Sequence, residues 1–185
     1  WLTASWALGA LLGLAYAAHR LDRNGDPTRL MRGGLVVGLI AFPTVIFSAP
    51  LGSAVLFFIG ALLIGFGAGL FSVATLILAM TIPISGIAGR GLAIGAWGAA
   101  QATAAGISIA LGGFLRDLIN YHAMRGAWGE ALATPATGYS FVYHSEIALL
   151  IVTLLVLFPL IRQGQGIASK TDQGSAGIRL ADFPM

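Results

Sequence analysis

Two long apolar runs joined by a short loop occupy residues 65–117 and constrain the fold more than any other part of the sequence. They read GFGAGLFSVATLILAM and LAIGAWGAAQATAAGISIALGGFL, and the loop between them carries one charge, Arg90. Both runs are rich in Gly, which costs about 0.5–1 kcal/mol relative to Ala inside a helix in water. In a bilayer, however, backbone groups must hydrogen-bond internally, so helix is nearly compulsory. The runs therefore predict two transmembrane helices.

Small residues in these runs recur at a spacing that suits close helix packing. Gly65 and Gly69 are four residues apart, and so are Gly91 and Gly95. This G-x-x-x-G spacing places both glycines on one face of a helix, where a neighbouring backbone can approach closely. We expect all four glycines to lie at helix–helix contacts.

The composition of the whole chain agrees with a membrane protein. It is 57% hydrophobic and 9% charged, with a mean hydropathy of +0.88, whereas soluble domains carry about 25% charged residues. The net charge of +3 comes from loop residues, so it indicates positive-inside topology, and we predict no nucleic-acid partner. There is no cysteine, which excludes disulfides and thiolate metal sites.

Five apolar segments are long enough to cross a bilayer, and they predict an all-α integral membrane protein with a helical bundle over residues 1–162. A Gly/Gln/Ser-rich segment over 163–185 predicts a flexible tail. Because the chain opens inside an apolar run without Met, we expect it to be part of a longer protein. The predicted spans are 1–18, 33–49, 53–80, 91–115 and 144–161.

The distribution of basic residues predicts the orientation of these spans. Eight of the ten Lys and Arg residues lie in the segments 19–32, 81–91 and 162–185, which alternate onto one side of the membrane. Only Arg116 and Arg125 lie on the other side. The positive-inside rule therefore predicts a cytoplasmic C-terminus.

Three stretches resemble a known family. GAGLFSVATLILAM, GLAIGAWGAAQATAAGISIALGGFLRDL and TGYSFVYHSEI resemble the PucC/LhaA family, also called the bacteriochlorophyll delivery family, a branch of the major facilitator superfamily. The resemblance implies that the chain is the C-terminal part of a major-facilitator-like bundle in the inner (intracytoplasmic) membrane of a phototrophic bacterium.

The loop Asp22-Arg23-Asn24-Gly25 resembles the D-R-x-G signature that facilitators carry between the second and third helices of each half. In that interpretation Asp22 accepts hydrogen bonds at a helix end, Arg23 pairs with a neighbouring helix, and the five spans are helices 8–12 of twelve. The usual basic residue after the glycine is replaced here by Asp26. A solvated turn with positive-inside charges is the alternative.

Gln101 is a polar residue in the middle of the fourth predicted span. An amide at that depth avoids lipid, so it either hydrogen-bonds another helix or contacts a pigment or substrate. Ser72 and Thr75 in the third span are expected to hydrogen-bond back to their own helix.

His144 and His19 are candidate ligands for the magnesium of a chlorin. His144 opens the fifth predicted span inside a family-like string, and His19 completes the pattern Ala15-x-x-x-His19. Ordinary interfacial histidines are the alternative for both. Arg116 is expected to pair with either Asp117 or Glu146 at the helix ends.

The sequence offers no cluster of metal ligands, no phosphate-binding loop and no nucleophile with a spaced base, so we predict no metal site and a protein that is not an enzyme. The resemblance implies an assembly factor that binds light-harvesting polypeptides or the reaction centre–antenna complex and holds bacteriochlorophyll transiently. A secondary transporter is an alternative, because the facilitator architecture usually moves solutes. A structural subunit of a photosynthetic complex is another.

Overall fold

The computed structural model describes the backbone of residues 1–81 and 86–175, and among these the side chains of all but residues 86–88, 90, 158 and 160–175. Regular structure there consists of five α-helices and one 3₁₀ turn, Glu130–Leu132. Each of the five helices is long and apolar enough to cross a membrane. The predicted all-α membrane protein is therefore confirmed. The helices are α1 (Leu2–Asp22), α2 (Pro27–Ser48), α3 (Ala54–Met80), α4 (Gly86–Met124) and α5 (Ala136–Ser175).

Each helix covers one predicted span to within one residue at its ends, and four of the helices extend well beyond their spans. The helices are longer because the predicted spans stop at charged residues, whereas a helix continues until a capping signal ends it. Asp26 caps the start of α2 through a 2.8 Å bond from the Thr28 backbone N–H to its Oδ1, and Ser53 caps α3. The connection between the fourth and fifth predicted spans, residues 116–143, is also shorter in the structure. It covers only residues 125–135, because α4 ends at Met124 and α5 begins at Ala136. The limits of the membrane-embedded parts stay predictions.

The chain divides into two compact units. The first comprises residues 1–150 and holds α1–α4 with the first part of α5, and the second begins at Ile151 and is helical through Ser175. The flexibility of the predicted tail stays a prediction, since its last part, residues 176–185, lies outside the described residues. Residues 82–85, which belong to the predicted loop before α4, also lie outside the described residues.

α3 is the central helix of the first unit and packs between α1 and α2. The approach is so close that glycines face the neighbouring backbone. A methyl group on Gly65 would collide with the Trp6 carbonyl of α1, and one on Gly67 would lie 2.8 Å from the Gly34 carbonyl of α2. Close backbone approach of this kind is how helices associate in lipid, where burying Leu or Ile gains little.

The most deeply buried side chains are small ones. Ala17, Ala41 and Ala74 are fully buried, while no large side chain is fully buried among those described. Many large apolar residues, such as Leu11 and Leu155, point outward, where lipid tails solvate them as well as a protein interior would. This arrangement is expected of a membrane bundle.

Candidate functional site

A pair of interhelical hydrogen bonds connects α3 and α4. Trp97 Nε1 donates to Thr75 Oγ1 over 3.2 Å, and Gln101 Nε2 donates to Ser72 Oγ over 3.4 Å. The two donors are four residues apart on α4 and the two acceptors three apart on α3, so each pair shares one helix face. The bonds fix which face of α4 turns toward α3.

These bonds settle part of what the sequence left open. Gln101 makes the interhelical hydrogen bond that was one of its two alternatives, and its contact with a pigment stays a prediction. Thr75 bonds back to the Phe71 carbonyl over 2.9 Å, as predicted, and also accepts the bond from Trp97. The role of Trp97 was missed, although its spacing of four residues from Gln101 places both side chains on one helix face.

A second face of α4 carries glycines that pack against none of the described residues. A methyl group on Gly91, Gly95, Gly98, Gly106 or Gly113 would have no described atom within 4 Å. At about 100° per residue these five glycines fall within roughly 80° of one another around the helix. We call them the α4 glycine face. Ile109 lies on the same face and is 76% exposed.

The four glycines predicted at helix contacts thus have different surroundings. Gly65 faces α1, and a methyl group on Gly69 would lie 2.6 Å from the Ala10 carbonyl of α1. Gly91 and Gly95 belong to the α4 glycine face and touch no described neighbour. Helix packing through Gly91 and Gly95 stays a prediction, and it requires a surface outside the described residues.

His144 is exposed on α5 and has one ring nitrogen already in use. Its Nδ1 lies 2.7 Å from the Ser140 carbonyl oxygen. A carbonyl can only accept, so Nδ1 carries the proton and, in the neutral ring, the lone pair is on Nε2. In metal-binding histidines, the ring nitrogen that does not bind the metal commonly donates its N–H to a backbone carbonyl in this way. The side chain therefore has the chemistry of a magnesium ligand, with Nε2 as the atom that would bind.

The other histidines have different environments. His19 lies exposed in the last turn of α1. His122 lies in the last turn of α4, with its ring edge-to-face with Tyr121 and 6.2 Å from the Trp128 ring. Neither makes a hydrogen bond to another side chain in the part of the chain that the structure describes.

The Asp22-Arg23-Asn24-Gly25 segment forms the end of α1 and the link to α2. The Gly25 backbone N–H donates to the Arg20 carbonyl over 2.9 Å and that of Asn24 to the Leu21 carbonyl over 3.1 Å. Asn24 has a positive φ of 57°, so this is a Schellman-type helix end. A side chain on Gly25 would collide with the Arg20 carbonyl.

The interactions expected of the signature loop differ from those in the structure. Neither Asp22 nor Arg23 makes a side-chain hydrogen bond or ion pair with any described residue. The capping carboxylate belongs instead to Asp26. Asp26 follows the signature by one residue, and Pro27 after it marks a helix start, which is the signal that could have identified this cap.

Arg116 pairs with its neighbour Asp117, which was one of the two predicted partners. Arg116 Nη2 lies 2.6 Å from Asp117 Oδ1, and Nη1 donates to Tyr139 Oη over 3.1 Å. Close by, the Gly138 backbone N–H donates to Asn120 Oδ1 over 2.9 Å. These contacts join α4 to α5, and the contributions of Tyr139 and Asn120 were not predicted.

The pigment-ligand candidates do not form one cluster. Gln101 lies on α4, His19 on α1 and His144 on α5, and none of them makes a hydrogen bond or ring contact with another. Across the described residues no group of three or more His, Cys, Asp or Glu is placed to hold a metal ion. A pigment contact would therefore rely on single side chains.

Comparison with known proteins gives consistent matches. A family model described as "PUCC protein" matches residues 1–165. An "Uncharacterized protein in puhA-bchM intergenic region" of Rhodobacter capsulatus is 49% identical over 184 residues, which is 100% of this chain and 38% of that protein. No solved structure gives a significant match.

Two relatives carry the name "Protein PucC". The one from Rhodovulum sulfidophilum is 50% identical over 118 residues, covering 64% of this chain and 26% of the relative. The one from Cereibacter sphaeroides is 38% identical over 162 residues, covering 87% and 34%. The chain therefore spans between a quarter and two fifths of the length of these three relatives.

Proposed function

This chain belongs to the PucC family, and on that premise we propose that it forms part of a membrane factor that assembles bacterial light-harvesting complexes. The observation that carries the proposal is the α4 glycine face, which is apolar and uncharged and has no described residue packed against it. Such a face suits a transmembrane helix of another polypeptide. A light-harvesting polypeptide is the partner we infer.

The chemistry of α4 fits transient docking of an apolar helix. Between residues 91 and 115 there is no ionisable side chain, so a helix can lie along the face without leaving a charge unpaired in lipid. Glycine lets the two backbones approach, which increases dispersion contacts and weak Cα–H···O bonds. Neither requires rearrangement of this chain.

The hydrogen bonds to α3 would keep the docking face oriented. Trp97 and Gln101 project from α4 about a quarter turn or more away from the centre of the α4 glycine face. Because they bond Thr75 and Ser72, rotation of α4 about its axis would break both bonds. We infer that they hold the α4 glycine face outward.

We also propose that a bacteriochlorophyll is held transiently during assembly. The bound pigment would supply a magnesium ion that takes a further ligand from the protein. His144 is the first candidate, because its Nδ1–H is fixed by Ser140 and its side chain is exposed. Gln101 and His19 are second candidates. The proposed role is non-enzymatic and requires no catalytic group from this chain.

The proposed location is the inner (intracytoplasmic) membrane, with the C-terminus in the cytoplasm. The support is the charge asymmetry between the two sets of loops. Reporter fusions at the C-terminus and in the α4–α5 connection test this, and an enzymatically active periplasmic reporter at the C-terminus would contradict it.

The experiment that tests the function uses the intact protein in a pigmented phototrophic host. Gly95→Leu combined with Gly106→Leu fills the α4 glycine face and should lower co-purified light-harvesting polypeptides by about tenfold, the equivalent of losing one helix contact. Ala96→Leu is the matched control, because Ala96 is exposed on α4 but outside that face. We expect Ala96→Leu to change recovery less than twofold.

The outcomes separate the alternatives. Equal recovery of antenna polypeptides in both variants would contradict docking on α4. Solute flux in liposomes made with the purified protein and no antenna partner would favour a transporter. Stoichiometric retention in mature complexes would favour a structural subunit. Loss of near-infrared pigment bands in His144→Leu, with antenna polypeptides still bound, would assign the pigment ligand.

A further inference from the structure

An open cavity of about 850 Å³ lies between α1, α2 and α3, next to the link between α1 and α2. Three arginines, Arg20, Arg23 and Arg29, line one part of it, and apolar side chains including Phe66 and Leu70 line another. We propose that this cavity is a binding site for an anionic phospholipid. The phosphate would lie among the arginines and an acyl chain along the apolar wall.

The cationic part of the cavity has uncompensated charge. Asp26 is the one acidic residue that lines it. Its Oδ1 accepts two bonds from Thr28, and its Oδ2 lies 3.8 Å from Arg29 Nε. Arg20 and Arg23 have no carboxylate of the described residues within 4.0 Å.

Two guanidinium groups without a carboxylate partner among the described residues therefore line this cavity between apolar helices. Asp22 is adjacent to Arg23 in the sequence but does not line the cavity and makes no ion pair with a described residue. Guanidinium groups bind phosphate oxygens through paired hydrogen bonds. Basic pockets between transmembrane helices are suited to anionic lipid headgroups for this reason.

The apolar part of the cavity distinguishes a lipid from a free anion. Tyr16 is 46% exposed, and its ring lies 6.0 Å from that of Phe66, which is half-buried. These side chains form a wall between two helices, where an acyl chain would gain contact area and a phosphate ion would not. The volume falls in the range of about 300–1,000 Å³ typical of small-molecule sites.

The test measures lipid binding to the intact purified protein by native mass spectrometry. The probes are a phosphatidylglycerol, a phosphatidylcholine with the same acyl chains, and glycerol phosphate. The double variant Arg20→Gln, Arg23→Gln should weaken phosphatidylglycerol binding by about tenfold. Arg32→Gln is the matched control on α2, since Arg32 does not line the cavity, and it should change binding less than twofold.

Two further variants keep the proposal testable if the double variant folds poorly. Arg20→Lys with Arg23→Lys keeps both charges and should retain most of the binding. Tyr16→Ser alters the apolar wall at a residue that is 46% exposed. It should weaken the binding of phosphatidylglycerol and leave the binding of glycerol phosphate unchanged.

Several results would overturn the proposal. Equal binding of phosphatidylglycerol and phosphatidylcholine would show that the arginines do not recognise an anion. Glycerol phosphate competing as well as the lipid would show a free-anion site. Equal losses in the Arg32→Gln and Arg20/Arg23 variants would show a diffuse charge effect. Loss of antenna polypeptides from the Arg20/Arg23 variant, with lipid binding unchanged, would assign the cavity to a protein partner.

Discussion

The two glycine-rich helices α3 and α4 differ in what their glycines contact. Glycines of α3 face the backbones of α1 and α2, so that an added methyl group would meet a carbonyl. The five glycines of the α4 glycine face have no described atom within 4 Å of an added methyl group. Both helices carry the same G-x-x-x-G spacing. The difference teaches that this spacing marks a surface able to pack closely, and does not identify the surface that packs on it.

The largest expected effect is at the α1–α3 contact. Gly65→Ala places a methyl group against the Trp6 carbonyl, and the backbones must separate. We expect a loss of about 1–3 kcal/mol in the free energy of unfolding, as for an overpacked core. Unfolding of the purified protein by sodium dodecyl sulfate measures this. An unchanged unfolding midpoint would show that the α1–α3 approach is looser than the structure has it.

Gly95→Ala is the corresponding change on α4, and its effect on stability should have the opposite sign. No described atom lies within 4 Å of the new methyl group, and Ala favours helix over Gly by about 0.5–1 kcal/mol. The purified protein should therefore become slightly more stable in the same detergent titration. Destabilisation similar to that of Gly65→Ala would mean that a helix of the same protein already covers this face.

The hydrogen bonds that orient α4 should contribute less. Gln101→Leu and Ser72→Ala, alone and combined, form a double-mutant cycle for the 3.4 Å bond between them. We expect a coupling energy of about 0.6 kcal/mol, the average for such bonds in membrane proteins. A coupling near zero would indicate that Trp97 and Thr75 alone fix the rotation of α4.

The smallest effect is expected at the joint between α4 and α5. Tyr139→Phe removes the hydroxyl that accepts from Arg116 but keeps the ring, whose centroid lies 5.3 Å from the guanidinium carbon. Arg116 also keeps Asp117, and exposed charged contacts contribute little to stability. The unfolding midpoint should stay within experimental error of the parent. A clear decrease would show that this joint supports α4 more than its exposure suggests.

Local interactions were the part of the candidate site open to prediction. The bond from Thr75 to the Phe71 carbonyl and that from His144 to the Ser140 carbonyl join residues four apart on one helix. Trp97 and Gln101 are four residues apart, and Thr75 and Ser72 are three apart, so the sharing of one helix face by each pair could have been inferred. The joint between Arg116 and Tyr139 could not, because it depends on how α4 and α5 cross.

The sequence by itself determined that this is a multi-pass helical membrane protein of the PucC family. Apolar length and the need to satisfy backbone groups in lipid impose helices without reference to neighbours. Only the tertiary structure decided which glycines are covered, which carboxylate caps α2, and that three arginines share a cavity with an apolar wall. Those features depend on the distance and rotation between helices, and Gly-rich surfaces are compatible with many such arrangements until particular backbones meet.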